Sequence, residues 1–326
     1  MDPRVEAICL SEKKGIPKTP VGSARCSKDH GLDGDAHAGP GHRQVSLLGQ
    51  ADIELFKQAG RLALAPGAFA ENMVLSGIDL ASLGLGSQLR LGKEALLTIT
   101  QLGKRCHHRC AIHDQTGDCI MPRLGLFARV LASGSVAVGD PVQIVQHVDR
   151  AAFQVVVLTL SDRGSRGEIE DTAGPASAEL VKGAMPAHVY RMEILPDDRS
   201  QLAARLCHYA DGHSIDLILA VGGTGFSPRD VTPEAVRDVV ERATPGLDEA
   251  MRMASRATTP WAMLSRAYSG IRGQTLIISL PGSLRAASEN LRAILPALPH
   301  GLTKLRGDRS DCAPVSTPRS TPGSTR

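Results

Sequence analysis

The stretch Leu217–Ala235, LILAVGGTGFSPRDVTPEA, decides how the second half of this 326-residue chain is read. A buried strand stops at three glycines within four residues, and an Arg-Asp pair and then Thr-Pro follow. Glycine lets backbone N–H groups approach an oxyanion with no Cβ in the way. Thr232 reads as a helix N-cap and Pro233 as the first helical residue, so a helix start would offer partial positive charge to the same loop. The segment points to a phosphorylated ligand at the edge of a parallel sheet, with Asp230 placed to hold a metal ion.

Outward from it, strand-like and helical runs alternate. Val155–Leu160, Val189–Leu195, Ile215–Val221 and Thr275–Leu280 read as strands, while Pro175–Gly183, Arg199–Ala210, Pro233–Ala243 and Leu284–Leu295 carry helical periodicity. That alternation predicts a mainly parallel sheet covered on both faces. Ligands bind such sheets beyond the carboxyl ends of the strands. The four endings are Ser161-Asp162-Arg163-Gly164, Pro196-Asp197-Asp198, Gly222-Gly223-Thr224-Gly225 with Arg229-Asp230 beyond it, and Pro281-Gly282-Ser283. Asp197 and Asp230, from neighbouring strand ends, are expected to share a Mg²⁺, which favours a few carboxylates plus substrate phosphates. Arg163, Arg166 and Arg229 supply positive charge, and Ser283 can cap the last helix. Singly, each has a plain structural reading: a turn at the glycines, a turn organised by Asp162, a helix capped by Asp197-Asp198. Their coincidence on one edge favours a site. No GxxxxGK[ST] loop occurs and no GxGxxG opens a helix, which excludes a P-loop enzyme and argues against a dinucleotide fold.

Before residue 150 the texture differs. Short apolar stretches (Gln44–Leu48, Gln88–Leu91, Ala95–Thr100, Val142–Val145) alternate with Gly-rich turns, interrupted by one helical pattern at Ala51–Ala59. This predicts a mostly β barrel or sandwich. Two domains are expected, 1–147 and 153–306, close together because the junction Gln146–Ala152 is short, with a disordered Ser/Thr/Pro/Arg tail over 307–326. A net charge of +3 and 3% aromatic residues give no footprint for a nucleic-acid partner. Seven cysteines without a regular framework suggest reduced thiols in a cytoplasmic protein. No signal peptide or membrane span is read from the sequence. In TQLGKRCHHRCAIHDQTGDCI (Thr100–Ile120), Cys106 and Cys110 stand four apart among His107, His108 and His113. Three readings stay open there: a zinc site, cysteines in a barrel wall, or a thiolate stabilised by Lys104, Arg105 and Arg109.

From Gln154 to Arg306 the chain resembles the molybdopterin adenylyltransferase (MogA/MoaB) family, on LTLSDRGSRGEIEDTAGP, EILPDD, VGGTGFSPRDVTPEAV, PGLDEAMR, LSRAYSGIRG and TLIISLPGS. The resemblance implies a three-layer α/β domain, commonly trimeric, that binds ATP and molybdopterin and transfers AMP to the pterin's terminal phosphate. It assigns Asp197 and Asp230 to Mg²⁺ and catalysis. Ser161, Asp162 and Asp171 fall in the family's first loop, and Gly222, Gly223, Thr224 and Gly225 in its glycine loop, followed by Arg229. Ser265, Arg266, Pro281, Gly282 and Ser283 match its remaining phosphate and pterin contacts. The ending LPGSLRAASENLRAILPALPHGLTKLRGD is closer to the MoaB branch, so a carrier that binds molybdopterin without turnover is the alternative.

From Val5 to Val145 the chain resembles the MOSC family, on GLDGDAHAGPGHRQVSLL, LAPGAFAENMVLSGIDL, GSQLRLG, ITQLGKRC and Gly139-Asp140. This implies a β-rich barrel that binds molybdenum cofactor or sulfur species. Cys106 falls at the family's characteristic cysteine, although GKRC replaces the commoner PRxPC, and Arg43 and His37 become candidate anion contacts with Asp35 structural. Both resemblances imply molybdenum-cofactor biosynthesis, with a molybdenum insertase or an acceptor molybdoenzyme as partner. A sulfur carrier acting through Cys106 is a further alternative.

Overall fold

The computed structural model describes residues 2–60, 64–104 and 118–310. Its first half runs β1 (Arg4–Leu10), β2 (Thr19–Val21), β3 (Ser23–Ser27), β4 (Gly31–Leu32), β5 (Val45–Gly49), α1 (Gln50–Gly60), β6 (Met73–Ser76), β7 (Gln88–Leu91), β8 (Ala95–Leu102), α2 (Met121–Leu124), β9 (Leu126–Ala132), β10 (Gly134–Ala137) and β11 (Val142–Gln146). Eight strands form one mixed sheet in the order β11-β7-β8-β9-β5-β6-β1-β2, and β10-β3-β4 form a second. Pro20 in β2 lacks a ladder donor, which suits the edge position it occupies. Among the described residues no closed barrel is found, although the start of β1 meets the approach of β11 through the Arg4–Pro141 bridge and backbone bonds from Val5 N to Asp140 O (2.9 Å) and Val142 N to Pro3 O (2.9 Å).

The second half runs β12 (Phe153–Leu160), α3 (Asp162–Ser165), α4 (Ala173–Ala184), β13 (Ala187–Leu195), α5 (Arg199–Gly212), β14 (Leu217–Val221), α6 (Thr232–Val239), β15 (Arg242–Ala243), α7 (Pro245–Arg256), β16 (Ser269–Arg272), β17 (Thr275–Leu280), α8 (Leu284–Ile294) and α9 (Leu298–Leu305). The sheet order is β13-β12-β14-β17-β16-β15, parallel across the first four strands and antiparallel at β16 and β15. β12 reads FQVVVLTL with every residue buried, the signature of a central strand covered on both faces. Val156, Leu158, Ile218 and Ile277 pack with Leu202 and Leu206 of α5 and Val236 of α6. Val155, Val157, Leu219 and Ile278 pack with Val181 of α4, Met251 of α7 and Leu291 of α8. Each such side chain contributes about 1.5–3 kcal/mol as an upper estimate, and the alternation between faces makes three layers.

The helix expected over Pro233–Ala243 stops at Val239, and Arg242–Ala243 pairs with β16 instead. The junction runs back against the first half, where Gly84 N donates to Val148 O (2.7 Å) and Arg150 N to Ser82 O (3.0 Å), and the halves themselves meet where Ser214 Oγ donates to Leu102 O (3.3 Å). Of the expected tail, residues 307–310 are held to α9 by Lys304, whose ammonium lies 2.9 Å from Asp308 Oδ2; residues 311–326 lie outside the described ones. No helix among the described residues is long and apolar enough to cross a membrane.

Candidate active site

Parallel strands β13, β12, β14 and β17 bring all four polar endings to one edge of the sheet. From β12 the chain crosses to β13 on one side, and from β14 it proceeds to β17 on the other. Their boundary is a topological switch point, where open α/β sheets bind ligands. One expectation is corrected here: Asp197 follows β13 and Asp230 follows β14, and these strands are not neighbours, because β12 lies between them. The residue in the middle is Asp162.

Asp162 and Asp197 clamp each other. Asp162 N donates to Asp197 Oδ2 (3.1 Å) and Asp197 N donates to Asp162 Oδ1 (3.0 Å). Arg229 Nη1 donates to Asp162 Oδ2 at 3.1 Å from a side chain that is 74% exposed, so this pair is worth about 0–1 kcal/mol and yields readily to a ligand. Burial raises the Asp197 carboxyl above its usual range, and the negative charges of Asp162 and Asp230 add to that, against the Asp162 N–H and Arg229. Asp230 Oδ2 accepts Ser227 N at 2.8 Å. Among the described residues no three His, Cys, Asp or Glu side chains form a metal site by themselves. Mutually repelling carboxylates at a sheet edge nonetheless suit Mg²⁺, which takes one or two carboxylates and completes its shell with water and ligand phosphates.

The glycine loop is shaped by close approaches. Gly222 has φ +111° and a Cβ there would stand 2.5 Å from Leu160 O; Gly223 has φ +62° and its Cβ would stand 2.6 Å from Thr232 Oγ1. Thr232 does not cap α6 as expected. It is the first residue of the helix after Val231, and its hydroxyl donates to Gly222 O (2.7 Å). Thr224 is buried. Arg266 spans the loop: Nε donates to Gly225 O (2.7 Å), Nη2 to Asp230 O (2.5 Å) and Nη1 to Glu234 Oε1 (2.5 Å). Its donors therefore hold the loop and the Asp230 backbone in place. The sequence reading assigned Glu234 no role, although it lies within VGGTGFSPRDVTPEAV; the first turn of α6 brings it to Arg266. A Cβ on Gly282 would approach Gly222 Cα to 3.2 Å, so the Pro281-Gly282-Ser283 ending packs directly on the glycine loop. Ser283 caps α8, accepting Ala286 N at 3.3 Å.

Other expected residues have local work. Ser161 caps α3 (Gly164 N, 3.0 Å), and Asp198 caps α5 (Gln201 N, 2.9 Å). Asp171 accepts Thr159 Oγ1 (2.6 Å) and Gly174 N (2.9 Å), fixing the entry to α4. Ser265 Oγ accepts Ala267 N at 3.4 Å. Arg166 pairs with Glu168.

In the first half, Arg43 Nε donates to Gln101 Oε1 (2.6 Å). His37 Nδ1 lies 3.2 Å from Lys18 Nζ, and Lys18 is bound to Asp35 at 2.5 Å with both side chains fully buried. Lys18 gave no signal in the sequence, since nothing in GIPKTP marks a core lysine. Cys106, Cys110, His107, His108 and His113 lie outside the described residues.

Two family models match the chain: one described as "Probable molybdopterin binding domain" over residues 156–300, and "MOSC domain" over residues 33–143. A molybdopterin adenylyltransferase of Helicobacter pylori (strain J99) is 39% identical over 157 residues, covering 48% of this chain and 89% of that protein. Gephyrin of Dictyostelium discoideum is 40% identical over 173 residues, 50% of this chain but 24% of its own length, so the chain spans about a quarter of that relative. The crystal structure of the molybdopterin biosynthesis enzyme MoaB from Thermus thermophilus shows 47% identity and a TM-score of 0.46, over 48% of this chain and 98% of that one.

Proposed function

Because the chain belongs to the molybdopterin adenylyltransferase family through its second half, we propose that this half serves molybdenum-cofactor biosynthesis by transferring AMP from Mg-ATP to molybdopterin. The observation that carries the reading is the group Asp162, Asp197 and Asp230 at the switch point, facing a glycine loop and held in mutual repulsion. In the transfer, a terminal phosphate oxygen of molybdopterin attacks the α-phosphorus of ATP. The α–β anhydride bond breaks and pyrophosphate leaves with the electron pair. Backbone N–H groups of Gly223–Gly225 and the start of α8 bind phosphate oxygens, while the Gly222 N–H donates to Leu280 O (2.9 Å), and Arg229, released from Asp162, adds charge. Asp197 and Asp230 would hold Mg²⁺, which when bound neutralises charge developing on the phosphates. Arg266 and Glu234 keep the loop rigid, so positioning and electrostatics carry the rate.

The first half, by its match to the MOSC model, would bind molybdenum cofactor or a sulfur species, with Arg43 and His37 as anion contacts and Cys106 as the sulfur-bearing thiol. Linkage in one chain raises the local concentration of a shared intermediate. A molybdenum insertase or an acceptor molybdoenzyme would take the product, and the assembly would be a trimer formed through the second half.

The test is incubation of the full chain with ATP, Mg²⁺ and molybdopterin, with adenylylated pterin and pyrophosphate as readouts and Asp230→Ala as control. Product from the unaltered chain alone supports transfer. Pterin binding without product sinks transfer and leaves a carrier; loss of cellular function on Cys106→Ser but not on Asp230→Ala would move the chemistry to the first half.

A further inference from the structure

At the opposite, amino-terminal edge of the same sheet, a cavity of about 740 Å³ lies between the two halves. Its walls include Arg43 and Lys104 from the first half, Arg150 from the junction, and Gln154, Asp216 and Arg306 from the second. None of the carboxylate-site residues lines it. The two acidic residues present are already neutralised: Asp216 is bound by Arg306 through two contacts (2.7 and 2.8 Å), and Asp211 by Arg272 through two more (2.9 and 2.7 Å). Lys104 and Arg150 have no ion-pair or side-chain hydrogen-bond partner among the described residues. Asp52 and Asp79 act on Arg150 only through space, while burial and the charge of Arg306 both press against its guanidinium.

A second, independent feature lies in the same wall. Gln154 lines the cavity and is 1% exposed; its Nε2 donates to Ala152 O at 3.2 Å, and its Oε1 is a buried acceptor with no partner among the described residues. A buried polar atom left unmatched is costly, and so is a partly buried cation without a counter-charge. One ligand class answers both: an anion that still carries a proton.

We propose that this cavity binds a phosphate-class oxyanion, as the free ion or as the phosphate end of a larger molecule, against Lys104 and Arg150 with Gln154 Oε1 accepting its proton. Hydrogen phosphate and the monoprotonated phosphate ester fit; sulfate, which has no proton at neutral pH, lacks the bond to Gln154. The site is separate from the carboxylate site and shares only Arg43 with the anion contacts proposed for the first half, so its failure leaves the adenylyl-transfer reading untouched.

Calorimetric titration of the full chain at constant ionic strength tests it, with inorganic phosphate, ribose 5-phosphate and sulfate as probes. Phosphate or its ester is expected to bind more tightly than sulfate, and Arg150→Met or Lys104→Met to weaken it about tenfold, the cost of one charge-assisted hydrogen bond. Tighter binding of ribose 5-phosphate assigns the cavity to a phosphorylated organic ligand, and tighter inorganic phosphate to the free ion. Absence of phosphate binding overturns the proposal. Binding that these variants leave unchanged also overturns it, since the ion then sits at another site. Equal affinity for sulfate removes Gln154 from the site. Lys104→Met, at a residue with no side-chain bond to lose among the described residues, keeps the test decisive should Arg150→Met not fold.

Discussion

Asp35 and Asp197, one in each half, sit in opposite electrostatic settings. Asp35 is fully buried and fully matched: Lys18 Nζ at 2.5 Å, Ser11 N at 3.1 Å and His37 N at 3.0 Å. Burial works to raise its carboxyl, and the hydrogen bonds from His37 and Lys18 outweigh that, holding it well below the usual carboxylate range. Asp197 is more open, has no ion pair of its own among the described residues, and is raised by burial and by two other carboxylates. A matched carboxylate in a core holds a fold together. An unmatched one among like charges at a sheet edge stores repulsion that a cation and a ligand can relieve.

The largest way to break this contrast is Lys18→Met. It leaves a buried charge on Asp35 with nothing to answer it, and about 3–5 kcal/mol of stability is expected to go, read by denaturant unfolding. Changing both, Lys18→Met with Asp35→Leu, should restore most of the loss, because the pair's net worth is small once its desolvation is removed. The same pair sets acid sensitivity. Since Asp35 is depressed in the fold, its stabilisation is complete above the unfolded value of about 4 and drains away as pH falls toward the folded one. A Lys18→Met protein as stable as the parent would show that Asp35 is not the structural anchor described.

Asp230→Ala should do the reverse. Transfer is expected to fall about 10²–10³-fold, the scale for losing one preorganised charge-stabilising group, while the melting temperature changes little. Among the described residues its carboxylate has one backbone bond, to Ser227 N. If the variant unfolds instead, Asp230 belongs with Asp35.

Gly222→Ala tests whether the loop's shape depends on glycine. With φ at +111° and a Cβ forced to 2.5 Å from a backbone oxygen, the expected cost is about 1–3 kcal/mol along with lost transfer. Gly246→Ala, whose Cβ would meet nothing within 4 Å, is the control.

Legibility in the sequence followed the same division. Thr275–Leu280 was readable residue for residue, and β12, β13 and β14 to within two residues, because buried parallel strands are continuous apolar runs that stop at glycine or aspartate. The edge strands were not. Arg242–Ala243 is two residues long and polar, and pairs only because β16 turns back beside it. In the first half, β6 is MVLS and β3 is SARCS, too short or too polar to show a period, and their placement comes from partners distant in the chain. Of the carboxylate site, the four loops were legible as an edge, but the order of strands was not. That order put Asp162, assigned to ligand binding rather than to the metal, between the two aspartates given the metal. Lys18 and Gln154 carry no motif, and Glu234 was inside one without a role, since each is defined by a partner, or the lack of one, across the fold.

The smallest effect is the sharpest test of the contrast. Asp197 has a raised pKa in the fold, so the native state keeps its proton to higher pH than the unfolded chain does. Its contribution to stability therefore falls as pH rises through the folded value, and at neutral pH the ionised group is a net cost. Asn keeps an oxygen for Asp162 N, 3.1 Å away, and removes the charge that Asp162 and Asp230 oppose. Asp197→Asn should melt slightly higher than the parent at pH 7, with the gain shrinking as pH falls through the raised folded value and gone below the unfolded value of about 4, and should lose transfer. Gaining stability while losing chemistry is what a functional carboxylate does when neutralised. A lower melting temperature at pH 7 would mean that Asp197, like Asp35, is held by its neighbours, and that the repulsion at the switch point is already relieved within the fold.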